Sequence, residues 1–263
     1  MLREILEKVA KGELSIDEAE RLIKILALEE VGSLARLDLG REFRKGVPEV
    51  ILAGGKTPKE LADIALKMME NNGRAIISRA SKEQMQKVAK LLPKDAEVQI
   101  YEKAKMMVIK RKGFKVVEKT GGKIGILTAG TSDIPVAEEA RIISEEMGCE
   151  VITAYDVGIA GIHRLLPPLK EMITKDVDVI IAVAGREGAL ASVVAGLVDV
   201  PVIAVPTSIG YGLGEKGISA LTAMLQSCSL GLAVINIDGE IAAGAVATLI
   251  ANRVAKYRKK DRF

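Results

Sequence analysis

The chain has 263 residues, 49% of them hydrophobic and 28% charged, with a formal net charge of +3. So mild a charge, with no Trp, four Tyr and three Phe, gives no basic, aromatic-studded surface of the kind that holds nucleic acid. No apolar run approaches the roughly 18 residues of a membrane span, the charged start Met1-Leu2-Arg3-Glu4 does not read as a secretory signal, and two cysteines with one histidine cannot build a Cys/His zinc cage.

The expectation is a cytoplasmic protein with no nucleic-acid or membrane partner and no disulfide. Residues 1–31 read as a helical hairpin, with Leu2, Ile5, Leu6 and Val9 on one face, a break at Gly12, and Ser15-Ile16-Asp17-Glu18 as a capping box opening the second helix. The hairpin is a packing element or a docking arm. Next, Arg41, Arg44 and Lys45 crowd a Gly/Pro-punctuated loop ahead of a strand ending at Leu52, placed to hold an anionic ligand or a subunit contact. Gly54-Gly55-Lys56-Thr57 lacks the spacing of a phosphate loop and is rejected as one.

Residues 58–109 alternate helix and strand: helix 58–70, strand 74–78, helix 82–91, then strands 96–101 and 106–109. Gly113, Gly121 and Gly122 mark a charged connector between Arg111 and Lys123, which separates an N-terminal unit (1–112, helical hairpin plus small α/β domain) from a second one (123–263).

From Ile124 the rhythm becomes regular βα units, with strands at 124–127, 150–153, 177–183, 202–205 and 232–237. Their near-continuous Val/Ile/Ala content is that of strands buried on both faces, so the fold class is α/β: a three-layer parallel sheet of flavodoxin- or Rossmann-like order, with a smaller N-terminal α/β domain. Ligands then belong at the carboxyl ends of the strands. Small-residue loops lie at those ends, at 129–132, 158–161, 184–188 and 206–214. They carry Gly130, Thr131, Ser132 and Asp133; His163 and Arg164; Gly185, Glu187 and Gly188; and Thr207, Ser208 and Tyr211. Such loops in phase suit a nucleotide-sized pocket. The turn Gly130-Thr131-Ser132-Asp133 is either a phosphate seat at a helix start or a capped βα turn, with Ser132 or Asp133 as N-cap.

These residues carry a family resemblance. Gly130-Thr-Ser-Asp133 resembles the phosphate-binding turn of the N5-carboxyaminoimidazole ribonucleotide mutases, Gly161-Ile-His-Arg164 their A-H-R turn, and Pro201-Val-Ile-Ala-Val-Pro206 their P-V-I-G-V-P strand. Where those enzymes have a catalytic histidine, this chain has Ala189. The segments Asp38–Arg44, Pro48-Glu-Val50, Asp156–Arg164, Ala184–Ala189, Thr207–Gly212 and Ser227-Cys228 make the chain more similar to the nickel-pincer nucleotide biosynthesis carboxylase/hydrolases, the LarB family, which join a small N-terminal domain to the same PurE-like fold.

What this resemblance implies is carboxylation of the pyridinium ring of nicotinic acid adenine dinucleotide, with hydrolysis of its phosphoanhydride. Cys228 would add to the ring as a thiolate, Glu187 would move the proton, and Asp133 would complete the catalytic set. Gly130, Thr131, Ser132, His163, Arg164, Gly185, Gly188, Thr207 and Tyr211 would bind substrate, and Asp156 would ligate magnesium, with no organic cofactor. Read without the resemblance, Cys228 is a small buried hydrophobe, Glu187 and Asp156 are helix or turn caps, His163 braces its loop and Tyr211 packs. The implied partners are the dinucleotide, carbon dioxide or bicarbonate, and further copies of the chain, up to an octamer, packed through the Ala/Gly/Val-rich final helix 241–254. The alternatives are an aminoimidazole ribonucleotide carboxylase/mutase and a non-catalytic dinucleotide-binding scaffold.

Overall fold

The structure, a computed structural model, describes residues 2–29, 41–114, 118–210 and 212–260. Helices α1 (Leu2–Ala10) and α2 (Ile16–Glu29) form the hairpin, turned by Gly12 at φ 72°. The capping box is present: the Glu18 N–H donates to Ser15 Oγ at 3.3 Å, and the Ser15 N–H donates to Glu18 Oε2 at 3.1 Å. Of the basic loop that follows, the part before Arg41, including Asp38, lies outside the described residues, and a short helix α3 (Arg41–Lys45) succeeds it.

The N-terminal sheet contains β1 (Val50–Leu52), β2 (Arg74–Ser78), β3 (Glu97–Tyr101) and β4 (Met106–Lys110) in the order β1-β2-β4-β3, with only β1 and β2 parallel. Helices α4 (Pro58–Asn72) and α5 (Lys82–Leu91) cover one face. Thr57, last residue of the rejected phosphate loop, is the N-cap of α4 in a capping box with Glu60. Side chains alternate along the strands as the pleat requires. Ala75, Ile77, Met107 and Ile109 pack under α4 and α5, whereas Ile76, Met106 and Val108 face the second domain.

The C-terminal sheet is five-stranded and parallel, with β5 (Lys123–Thr128), β6 (Glu150–Ala154), β7 (Val179–Ala184), β8 (Val202–Pro206) and β9 (Leu232–Val234) in the order β6-β5-β7-β8-β9. This is the flavodoxin-type order. Helices α7 (Leu166–Thr174), α8 (Ala189–Ala195) and α9 (Ile218–Leu225) cover one face through Leu169, Met172, Leu190, Val194 and Met224. Helices α6 (Ile134–Glu146) and α10 (Glu240–Lys260) cover the other through Ala137, Ala140, Ala243, Ala247 and Ala251. Strand β9 is shorter than the expected 232–237, because the chain leaves the sheet and turns at Asp238, with φ 49°.

Helix α6 joins the domains. Its Ala137 and Ala140 meet the C-terminal sheet, while Ile142, Ile143 and the following Met147 lie against the N-terminal one. The small residues of the final helix have a partner within the chain. A Cβ at Gly244 would sit 2.8 Å from the Ala140 carbonyl oxygen, so glycine is what lets α10 approach α6. Among the described residues no helix is long and apolar enough to cross a membrane.

Candidate active site

The chain leaves β5 for α6 on one face of the sheet and β7, its neighbour, for α8 on the other. The two departing loops part to leave a crevice at the carboxyl ends, the topological switch point of an open α/β sheet. A cavity of about 360 Å³ occupies it, lined by Gly130, Ser132 and Asp133 from the first loop, Gly185, Arg186 and Glu187 from the second, and Ala189 and Leu190 from α8. Gly158, Ile159, Ala160 and Ile209 complete an apolar surround.

Asp133 is the fixed point of the cavity. Its residue is 4% exposed, and its carboxylate is turned back beneath the loop instead of capping α6. The Gly130 N–H donates to Oδ2 at 2.9 Å, Thr207 Oγ1 donates to Oδ1 at 2.8 Å, and the Gly185 backbone adds a third bond. Burial pushes the Asp133 pKa up, and these hydrogen bonds oppose the shift without cancelling it. A carboxyl so held can exchange a proton without changing place.

Two glycines are sterically required here. A Cβ on Gly185 would stand 2.3 Å from the Ile209 carbonyl oxygen, and one on Gly158 would stand 2.5 Å from that of Ala129. Gly130 is different: its backbone is extended and a Cβ would meet nothing closer than 3.6 Å, so it serves through its N–H. Gly188, at φ 65°, makes the left-handed turn into α8 and lies against Ala220.

The structure gathers Ser132, Asp133, Gly130, Gly185 and Glu187 around one volume, with Thr207 beneath, and leaves other expected residues outside it. Thr207, fully buried and donating to Asp133, positions that carboxylate and does not face a ligand. Thr131 is exposed beside the cavity and does not line it. In the 3-10 turn Ile159–Arg164 it is Ile159 and Ala160 that line the cavity, while His163 and Arg164 stand exposed. Arg164 folds back over Gly161 and donates from Nη1 to Asp156 Oδ2 at 2.5 Å. That ion pair occupies Asp156, the expected magnesium ligand, and among the described residues no three His, Cys, Asp or Glu side chains gather as a metal site. Tyr211 lies outside the described residues.

Cys228 is exposed, on the loop that enters β9. Within one chain it does not line the cavity, because that loop is level with the start of β8: the Val202 N–H donates to the Gly231 carbonyl at 3.0 Å. The cavity is at the other end of the strand, about 13 Å away at roughly 3.3 Å per residue. Cys149, by contrast, is buried, and desolvation pushes its thiol pKa up to about 11. The apolar wall of Ile159, Leu190 and Ile209 escaped sequence reasoning, since an isolated aliphatic residue in a loop resembles any core residue.

Comparison with known proteins agrees with this geometry. The AIR carboxylase family matches residues 123–261, and the LarB/PurE-like N-terminal domain matches residues 28–112. An uncharacterized protein of Methanocaldococcus jannaschii is 50% identical over 97% of this chain and 98% of its own length. N5-carboxyaminoimidazole ribonucleotide mutases of Thermotoga maritima and Pyrococcus abyssi are 28% and 29% identical, each over 52% of this chain and over 84% and 82% of their own lengths. The chain belongs to the AIR carboxylase family, in the LarB-like arrangement that sets a LarB/PurE-like N-terminal domain before the carboxylase-type sheet. The family relatives are carboxylase and mutase enzymes, which supports an enzyme here.

Proposed function

We propose that the protein carboxylates the pyridinium ring of nicotinic acid adenine dinucleotide and hydrolyses its phosphoanhydride, releasing AMP and pyridinium-3,5-biscarboxylic acid mononucleotide for nickel-pincer nucleotide biosynthesis. The observation that carries this reading is Ala189 in the cavity wall, at the place where the mutase motif has its histidine. Without an imidazole, the lining offers the carboxyl groups of Asp133 and Glu187 as proton carriers, beside an apolar surround suited to a planar ring.

A pyridinium carbon is too electron-poor to attack carbon dioxide. Addition of the Cys228 thiolate to an adjacent ring carbon makes a neutral enamine, whose carbon forms the new bond to carbon dioxide. Glu187 then takes the proton from that carbon, the carbon–sulfur bond breaks, and the aromatic cation and the thiolate are both restored. Water adds to the phosphoanhydride in the second reaction, and no step is routed through a metal.

The proposal needs Cys228 from a second copy, since its own loop is at the far end of the sheet. The surface around it suits such a contact: Leu225 and Leu230 flank it, 65% and 91% exposed. A homo-oligomer is therefore part of the reading. Purified protein incubated with the dinucleotide and labelled bicarbonate should release AMP and a labelled dicarboxylated mononucleotide. Carboxyl exchange on aminoimidazole ribonucleotide, with neither of those products, would contradict the proposal in favour of mutase chemistry.

A further inference from the structure

A second cavity, of about 380 Å³, opens where the two domains meet. Arg41, Val50, Leu52 and Arg79 line it from the N-terminal domain, Glu240 and Ile241 from the start of α10. The Glu240 side chain is 4% exposed, and its Oε1 accepts from Arg79 Nη2 at 3.0 Å and Nε at 3.2 Å. Its Oε2 is also buried and has no hydrogen-bond partner among the described residues, and the same is true of Arg41 Nε. A buried carboxylate oxygen and a buried guanidinium N–H left unmet are costly, and such groups normally have partners. The two residues that carry them both line one open volume.

They ask for complementary things. Glu240 Oε2 needs a donor such as a hydroxyl, and Arg41 Nε needs an acceptor, best an anionic oxygen. Val50, Leu52 and Ile241 offer an apolar wall beside them. A ribonucleoside monophosphate has all three features: ribose hydroxyls, a phosphate and a flat base.

The cavity also lies next to the first. Thr207 and Ile209 belong to the Asp133 site, and Ser208 between them donates its N–H at 2.9 Å to Oδ1 of Asp238, which lines the second cavity. One short segment at the carboxyl edge thus stands between residues of the two linings.

We infer that the cavity between the domains is a subsite for the ribonucleoside monophosphate half of the substrate, with Arg41 on its phosphate, Glu240 on its ribose and the Val50/Leu52/Ile241 wall against its base. The assignment of which half rests on the proposed dinucleotide reaction; the ligand chemistry rests on the cavity alone. It gives the Arg41 loop a role and explains why the N-terminal domain accompanies a carboxylase-type sheet.

The test is AMP binding to the full-length protein by titration calorimetry, with nicotinic acid mononucleotide as the second probe. Leu52, half-exposed at 52%, tolerates a larger side chain, so Leu52→Trp fills the cavity without disturbing the core. AMP affinity should fall about tenfold or more in Leu52→Trp and in Arg41→Gln, the loss expected for one charge-assisted hydrogen bond, while the mononucleotide binds as before. Wild-type protein that does not bind AMP saturably, or AMP affinity unchanged in both variants, overturns the inference. Turnover is not needed: AMP held here by a protein that fails to carboxylate the dinucleotide would sink the proposed reaction and leave the subsite standing.

Discussion

Two buried acidic clusters lie at the carboxyl side of the C-terminal sheet, and they are built in opposite ways. Around Asp133 the Gly130 N–H, the Thr207 hydroxyl and the Gly185 backbone converge on a single carboxylate beside open volume. In the seam between the domains, Ser78 Oγ donates to Glu139 Oε2 at 2.6 Å and Arg79 holds Glu240, yet the two glutamates oppose each other electrostatically and Glu240 keeps an unmet oxygen. The first arrangement fixes a group for chemistry. The second holds charge that packing alone does not require, which is what a ligand contact or a protonation-sensitive seam looks like.

Removing the Asp133 charge should break the contrast most severely. Asp133→Asn keeps the shape and discards one of the two carboxyl proton carriers of the cavity, so carboxylation should fall by about 10²- to 10⁴-fold, while the melting temperature holds or rises because a desolvated charge has gone. A comparable loss of stability would mean that Asp133 is structural. Next in size is Thr207→Val, which deletes one of the three hydrogen bonds to that carboxylate. Leaving a buried acceptor short costs about 1–3 kcal/mol, and the pH profile of activity should move upward as the Asp133 pKa rises further; an unmoved profile would separate Thr207 from the proton-carrying group.

The smallest effect concerns the seam. Burial, reinforced by the neighbouring Glu240, pushes the Glu139 pKa up from 4.5 to about 8. A raised carboxyl pKa favours the folded state while the group is protonated, so stability is lost as pH climbs from about 4.5 toward about 8. Glu139→Gln should then melt higher than the wild type at pH 9 and close to it at pH 5. The reverse order, measured by thermal denaturation at the two pH values, would show that the nearby Arg79 and Lys105 cations, which pull the Glu139 pKa down, outweigh burial.

Much of the fold was legible because the strands are short Val/Ile/Ala runs between glycines: 74–78 and 150–153 needed almost no adjustment. Strand 232–237 was overread, since Ile235, whose N–H still donates to the Ala204 carbonyl, and Ile237 continue the apolar pattern past the strand's last residue, Val234. The site was legible to the level of its loops, where glycines at 158 and 185 reported close backbone approach. Which side chain faces inward was not. A 3-10 turn decides between Ile159 and His163, and a bond across the sheet makes Thr207 a support for Asp133. Nor could spacing show that Arg79 meets Glu240, 161 positions away.

The distance of Cys228 from the cavity in its own chain yields the most direct test. Cys228→Ala and Asp133→Asn proteins, each expected to be inactive with nicotinic acid adenine dinucleotide, are dissociated, mixed in equal amounts and reassembled. If one copy supplies the thiolate to the carboxyl site of another, about a quarter of the sites regain both groups by random pairing, and labelled bicarbonate enters the product at about that fraction of the wild-type rate. A reassembled mixture with no activity, from proteins that each still form the oligomer, would contradict a site shared between copies.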